Sequence, residues 1–183
     1  MIYLSIGLLL LGIVTALNLV LVLAVIRRLR RHEQERKRLF GTYGTLESGP
    51  PADEPLPAFT AVATDGTPVT SDGLNGREAA LTFLSTDCAV CATAAGDLPE
   101  FARRTGMDAA QMVVVIAGDD ETAAEEMTAP LAGVATVVRE EASGPMSTLY
   151  AIQATPTTVL VDAEGTVTYA RAGTNPVLDR LPA

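Results

Sequence analysis

The pattern of apolar and polar positions divides the chain in two. No charged residue occurs from Ile2 to Ile26, and between Ile6 and Ile26 only Gly7, Gly12, Thr15 and Asn18 interrupt the apolar run. As a helix, these residues extend roughly 37 Å at about 1.5 Å per residue, enough to cross a hydrocarbon core of about 30 Å with some tilt. A cleaved signal peptide would need a basic n-region, a shorter apolar core and a small-residue cleavage site. Here no Lys or Arg precedes the run, and Arg27 follows Val25-Ile26 directly. The pattern predicts one retained transmembrane helix over 1–26, in which Asn18 is the single strongly polar side chain.

Residues 27–40 follow as a basic juxtamembrane segment, and 41–57 (GTYGTLESGPPADEPLP) contain three glycines and four prolines, a density that reads as a linker. From residue 58 to 183 the apolar runs have the lengths of strands and helices. Ala58 to Ala63 and Val69 flank the turn signal Asp65-Gly66-Thr67-Pro68 and suggest a short hairpin. Ala79 to Ser85 and Met112 to Ala117 are compact apolar runs, the second rich in β-branched residues suited to a strand buried on both faces. The Ala-rich stretch Ala89 to Arg104 between them is long enough for a helix, with a kink expected at Pro99. Strand, helix and strand in this order imply parallel pairing and a right-handed crossover.

Further elements are expected at Asp119 to Met127 (helix), Val134 to Val138 (strand) and Ser143 to Ala151 (a short helix capped by Ser143). Thr157 to Val161 and Thr166 to Ala170 should form a hairpin closed by Asp162 to Gly165. The sum is an α/β sandwich with a mixed central sheet, and its length is adequate to enclose a core.

Composition narrows the function. Of 183 residues, 13 are Lys or Arg and 22 Asp or Glu, for a net charge of −9, which opposes binding nucleic acid through its phosphates. The charge is uneven. Arg27 to Arg38 holds seven basic residues and two acidic ones, a local +5, leaving six basic and 20 acidic residues elsewhere, or −14. The basic cluster after the helix favours a cytoplasmic domain by the positive-inside rule, though it also suits a segment lying on anionic headgroups on either side of a bilayer. Two cysteines and one histidine exclude a disulfide-stapled miniprotein and a self-contained four-ligand Cys/His zinc site.

Cys88-Ala89-Val90-Cys91 is the strongest chemical signal. It falls where the strand ending near Ser85 gives way to the helix, so Cys88 is expected near a helix N-terminus, whose free N–H groups stabilise a thiolate. Cys88 is then the nucleophile. Cys91, one helical turn on and more shielded, is placed to resolve a mixed disulfide. Half of an intermolecular zinc site, a static disulfide and two buried thiols are the competing readings of the same pair.

Thr82–Cys91 (TFLSTDCAVC), Leu98-Pro99, Ile152–Asp162 (IQATPTTVLVD) and Glu164-Gly165 resemble the thioredoxin fold in its membrane-anchored form. The resemblance is to the TlpA-like thiol-disulfide oxidoreductases, and among them to the MauD-like proteins associated with methylamine dehydrogenase maturation. It implies a thioredoxin-like domain acting on protein thiols and disulfides, with a membrane electron donor, the lipid bilayer as anchor, and no bound metal or organic cofactor. It also implies a cis bond at Thr155-Pro156, facing the disulfide, where Thr155 would pair with an extended substrate. By resemblance the redox domain belongs on the outer face of the membrane, against the sense of the Arg-rich flank.

The sequence departs from that family at several positions. Asp87 stands where Trp is common, and a carboxylate beside a thiolate makes it harder to form. Val90 replaces the usual proline, and neither Thr82 nor Ala94 supplies the buried carboxylate many relatives use to move protons; Asp97 and Glu100 are the nearest carboxylates on the helix. A peroxidase of the related type needs proline seven residues and Thr or Ser three residues before its cysteine; Ser85 meets the second requirement, Leu81 fails the first, and no arginine is expected close to the motif. A non-catalytic assembly module with a structural Cys bridge is the alternative from a different class.

Overall fold

The structure, a computed structural model, describes residue 6 and residues 46–173. Apart from residue 6, the predicted transmembrane and juxtamembrane segments lie outside the described residues, and among those described no helix is long and apolar enough to cross a membrane. Residues 46–173 belong to a compact unit that begins at Thr45.

A six-stranded mixed sheet forms its centre. Strands β1 (Leu46–Glu47), β4 (Ala79–Ser85), β5 (Met112–Ala117), β6 (Thr136–Glu140), β7 (Thr157–Val161) and β8 (Val167–Ala172) are arranged in the order β1-β8-β7-β4-β5-β6, and β2 (Thr60–Val62) and β3 (Pro68–Thr70) form a separate hairpin. β4, β5 and β6 run parallel, as the strand-helix-strand pattern requires, while β7, β8 and β1 are antiparallel to their neighbours. Every residue of β5 is buried, and so is all of β4 except Ser85, because helices or the hairpin cover both faces.

Alternation along the strands sorts the core into two layers. Ala80, Leu84, Val114 and Ile116 pack with Cys91, Ala95, Leu98 and Phe101 of α1 (Cys91–Thr105) and with Met127 of α2 (Glu121–Thr128). Leu81, Phe83, Val113 and Val115 face the other way, toward Phe59, Val69 and the short helix α3 (Pro145–Leu149) with the residue that ends it, Tyr150. Tyr150 lies 5.4 Å from Phe83 and 6.1 Å from Phe59 between ring centroids, and its hydroxyl donates to the Pro57 carbonyl oxygen at 2.9 Å.

Several boundaries differ from expectation. The stretch predicted to run as a linker through residue 57 is, from residue 46, paired with β8: Leu46 and Glu47 align with Ala172 and Arg171, Pro55 bridges Thr166, and the Asp53 N–H donates to the Val167 carbonyl at 2.8 Å. Proline removes only its own donor, and here the intervening non-proline residues make the bonds. α1 starts at Cys91, two residues late, because Thr86 to Val90 complete two turns first, and it runs unbroken through Pro99. Ser143 does not cap α3. It sits at φ 61°, and the Glu140 carboxylate takes the helix's free N–H groups at Met146 (2.9 Å) and Ser147 (3.0 Å), with the Ser147 hydroxyl also donating to it. α2 is capped by Asp120, which accepts from the Ala123 N–H at 3.0 Å.

Candidate active site

The site lies at the C-terminal ends of the parallel strands. As β4 ends, the Thr86 N–H donates to the Ala117 carbonyl (2.9 Å), the Asp87 N–H to Ser85 Oγ (3.2 Å) and the Cys88 N–H to the Ser85 carbonyl (3.1 Å). These bonds turn the chain toward α1, and the Cys91 N–H then donates to the Cys88 carbonyl at 3.1 Å. Gly118 makes room for this turn. It has φ 123°, and a Cβ there would overlap Thr86 Oγ1 and approach Thr86 Cβ to 3.1 Å.

Cys88 and Cys91 are joined as a disulfide with their Cα atoms 5.4 Å apart. Their surroundings differ sharply: Cys91 is completely buried against the sheet, while Cys88 is partly exposed at the rim of the same cluster. No side chain caps the N-terminus of α1, in contrast to α2 and α3. The first-turn dipoles of α1 are therefore left to favour a negative charge on a neighbouring sulfur once the pair is reduced.

Thr155-Pro156 is a cis peptide, and the Thr155 carbonyl oxygen lies 3.4 Å from Cys88 Sγ. Pro156 is buried and its carbonyl accepts the Gly173 N–H at 2.9 Å. The four residues singled out from the sequence, Cys88, Cys91, Thr155 and Pro156, are thus brought together although 64 residues separate Cys91 from Thr155.

The carboxylates fall elsewhere. Asp87 is exposed. Glu100 accepts from Arg103 (2.8 and 2.6 Å) and Arg104 (2.8 Å), and these bonds hold its pKa down to about 2, so it is no proton reservoir near neutrality. Thr82 is buried on the α1 side of β4 and aligned with the equally buried Thr158, so hydroxyls occupy that layer of the sheet. An arginine does approach this end of the sheet: Arg139 of β6 reaches the Gly118 carbonyl at 3.4 Å and Glu121 at 3.3 Å. Its distance in sequence hid it, and it is engaged by a carboxylate. Gly118 was also missed, although a glycine directly after a buried strand was a readable signal.

A cysteine pair spaced by two residues at the end of a central parallel strand, opposed by a proline loop in this strand order, makes the chain a thioredoxin-fold redox enzyme. The Redoxin family profile matches residues 51–180, well over half of the sequence, and the chain belongs to that family. Similar solved structures include the secreted Mycobacterium tuberculosis disulfide oxidoreductase homologous to E. coli DsbE (24% identity, TM-score 0.51, covering 65% of this chain and 84% of that one). Others are the thioredoxin domain of a thiol-disulfide oxidoreductase from Bacteroides vulgatus (18%, 0.56, 73% and 99%) and a thiol:disulfide interchange protein of the thioredoxin family from Chlorobium tepidum (19%, 0.55, 72% and 95%). No curated protein matches the chain.

Proposed function

We propose that the chain is a membrane-tethered thiol-disulfide oxidoreductase acting on protein disulfides, of the TlpA-like and specifically MauD-like kind. Its anchor is the apolar run 1–26, and its redox domain lies on the outer face. The observation that carries the catalytic part is the unequal burial of the two sulfurs, with the more accessible one beside the Thr155 carbonyl.

In the reductive direction, the Cys88 thiolate attacks a substrate disulfide. A Cys88–substrate S–S bond forms and one substrate thiolate leaves. Cys91, as its thiolate, attacks the Cys88 sulfur, re-forming the internal disulfide and releasing the second substrate thiolate. Two electrons pass from the dithiol to the substrate, two protons complete the product thiols, and a thiol donor, by our reading a membrane electron carrier, reduces the pair again. Thr155 and Pro156 hold the substrate chain alongside Cys88.

Cys91→Ser tests this. With the resolving sulfur gone, the mixed disulfide on Cys88 should accumulate and be released by dithiothreitol, and the wild-type chain should reduce insulin. A chain that traps no partner and leaves insulin intact is instead an assembly module with a structural bridge. Two C-terminal reporter fusions, one active only in the cytoplasm and one only outside, test the tether and its orientation; activity of the cytoplasmic one overturns the outer-face assignment.

A further inference from the structure

Ser48 stands inside the stretch that pairs with β8 and is only 3% exposed. It is followed by Gly49 at φ 102°, where a Cβ would press on Ala170 and Val159 at 3.2 and 3.3 Å. This close approach seats the Ser48 hydroxyl between two ends of a distant loop. The Gln153 N–H donates to Ser48 Oγ at 3.1 Å, and the Ser48 and Thr157 hydroxyl oxygens are 2.9 Å apart. Thr157 has one hydroxyl proton and its Oγ1 lies 2.6 Å from the Ala154 carbonyl oxygen, so it donates there and accepts from Ser48. The bonds run one way: Gln153 N–H to Ser48, Ser48 to Thr157, Thr157 to Ala154.

Both ends of that relay land on the loop 153–157, and the residues it encloses are Thr155 and Pro156. Thr155 presents its carbonyl to Cys88 Sγ at 3.4 Å, and Pro156 is tied from the far side by Gly173. The relay touches neither sulfur. We infer that Ser48 is a positioning residue, which through Gln153 and Thr157 sets the loop that receives the substrate chain, more than 100 residues away in sequence. The inference rests on the proposed role of Thr155 and Pro156 in holding substrate.

A relay of this kind acts on substrate binding and not on the chemistry of Cys88. The test uses the full-length chain, with insulin as the protein disulfide and dithiothreitol as reductant. Ser48→Ala should raise KM for insulin about three- to tenfold, the size expected for losing one net hydrogen bond, and leave kcat within about twofold. Alkylation of Cys88 by iodoacetamide in the reduced protein should keep its wild-type rate. Thr157→Val, which keeps the side-chain shape and removes the hydroxyl, should raise KM likewise, and the double variant should be no worse than the worse single one, because both break the same relay. A folded Ser48→Ala with wild-type KM overturns the inference, as does slowed alkylation, which would mark a general distortion. If Ser48→Ala does not fold, a wild-type KM in Thr157→Val overturns it alone. A wild-type chain that never turns over insulin overturns the functional reading and this inference with it.

Discussion

Gly118→Ala should be among the most damaging single-methyl changes the domain can carry. Two costs combine. An L-residue forced to φ 123° is strained by about 1–3 kcal/mol, and the new methyl overlaps Thr86 Oγ1, for about another 1–3 kcal/mol of overpacking. The sum, about 2–6 kcal/mol, is a large part of the 5–15 kcal/mol typical of a folded domain. The two parts can be separated. Thr86→Ala removes Oγ1 and Cγ2, the atoms nearest the added methyl apart from Thr86 Cβ at 3.1 Å, and leaves the backbone strain in place. Urea unfolding of the oxidised protein is followed by far-UV circular dichroism, since the chain has no tryptophan. Thr86→Ala in the Gly118→Ala background should recover about 1–3 kcal/mol, a coupling that independent sites do not show. Additivity of the two changes within about 0.5 kcal/mol would refute the steric argument. A cost for Gly118→Ala below about 1 kcal/mol would refute both parts.

Three further outcomes are expected. Ala151, just past the Tyr150 that ends α3, sits in the left-handed region at φ 50°, and the Ala151 and Ile152 N–H groups bond the Thr148 and Ser147 carbonyls in the pattern that favours glycine; Ala151→Gly should therefore raise stability in urea by about 1 kcal/mol, and a fall would count against this reading. Tyr150→Phe orphans the Pro57 carbonyl and should cost about 1–3 kcal/mol. Burial pushes the Tyr150 phenol above its ordinary pKa of 10.0, so the unfolded chain loses this proton first and stability falls as pH climbs past that value; the variant should lose that alkaline slope in a pH series of unfolding curves. Glu100, depressed from 4.5 to about 2 by Arg103 and Arg104, contributes stability above pH 4.5 that disappears as pH falls through 2; the small melting-temperature difference between wild type and Glu100→Gln should vanish over that window, and a difference persisting at pH 2 would contradict the pairing.

Much of the fold was legible because its signals are local. Consecutive valines at 113–115 suit a strand covered on both faces, and the turn residues Asp65-Gly66 and Asp162 to Gly165 close two hairpins where expected. The position of the cysteine pair, where a strand gives way to a helix, singled it out, and family resemblance supplied its partner loop. What escaped was set by tertiary contacts. Ser143 has the right chemistry for a cap, but Glu140 at the end of β6 reaches the same N–H groups, a competition no propensity scale contains. The Pro and Gly content of 46–57 forbids a long ladder, yet isolated donors such as Asp53 and Leu56 suffice for a discontinuous one. Ser48 carries no local signature, because its partners are more than 100 residues distant.

The ragged pairing of residues 46–57 has a further consequence. Without it β8 would be the bare margin of the sheet, a row of unmet donors and acceptors inviting a second molecule to dock alongside. A proline-rich segment, a bridge at Pro55 and a few scattered bonds cover that margin without building a long, regular strand that could itself recruit a neighbour. The same residues that lead into the domain also close its sheet margin.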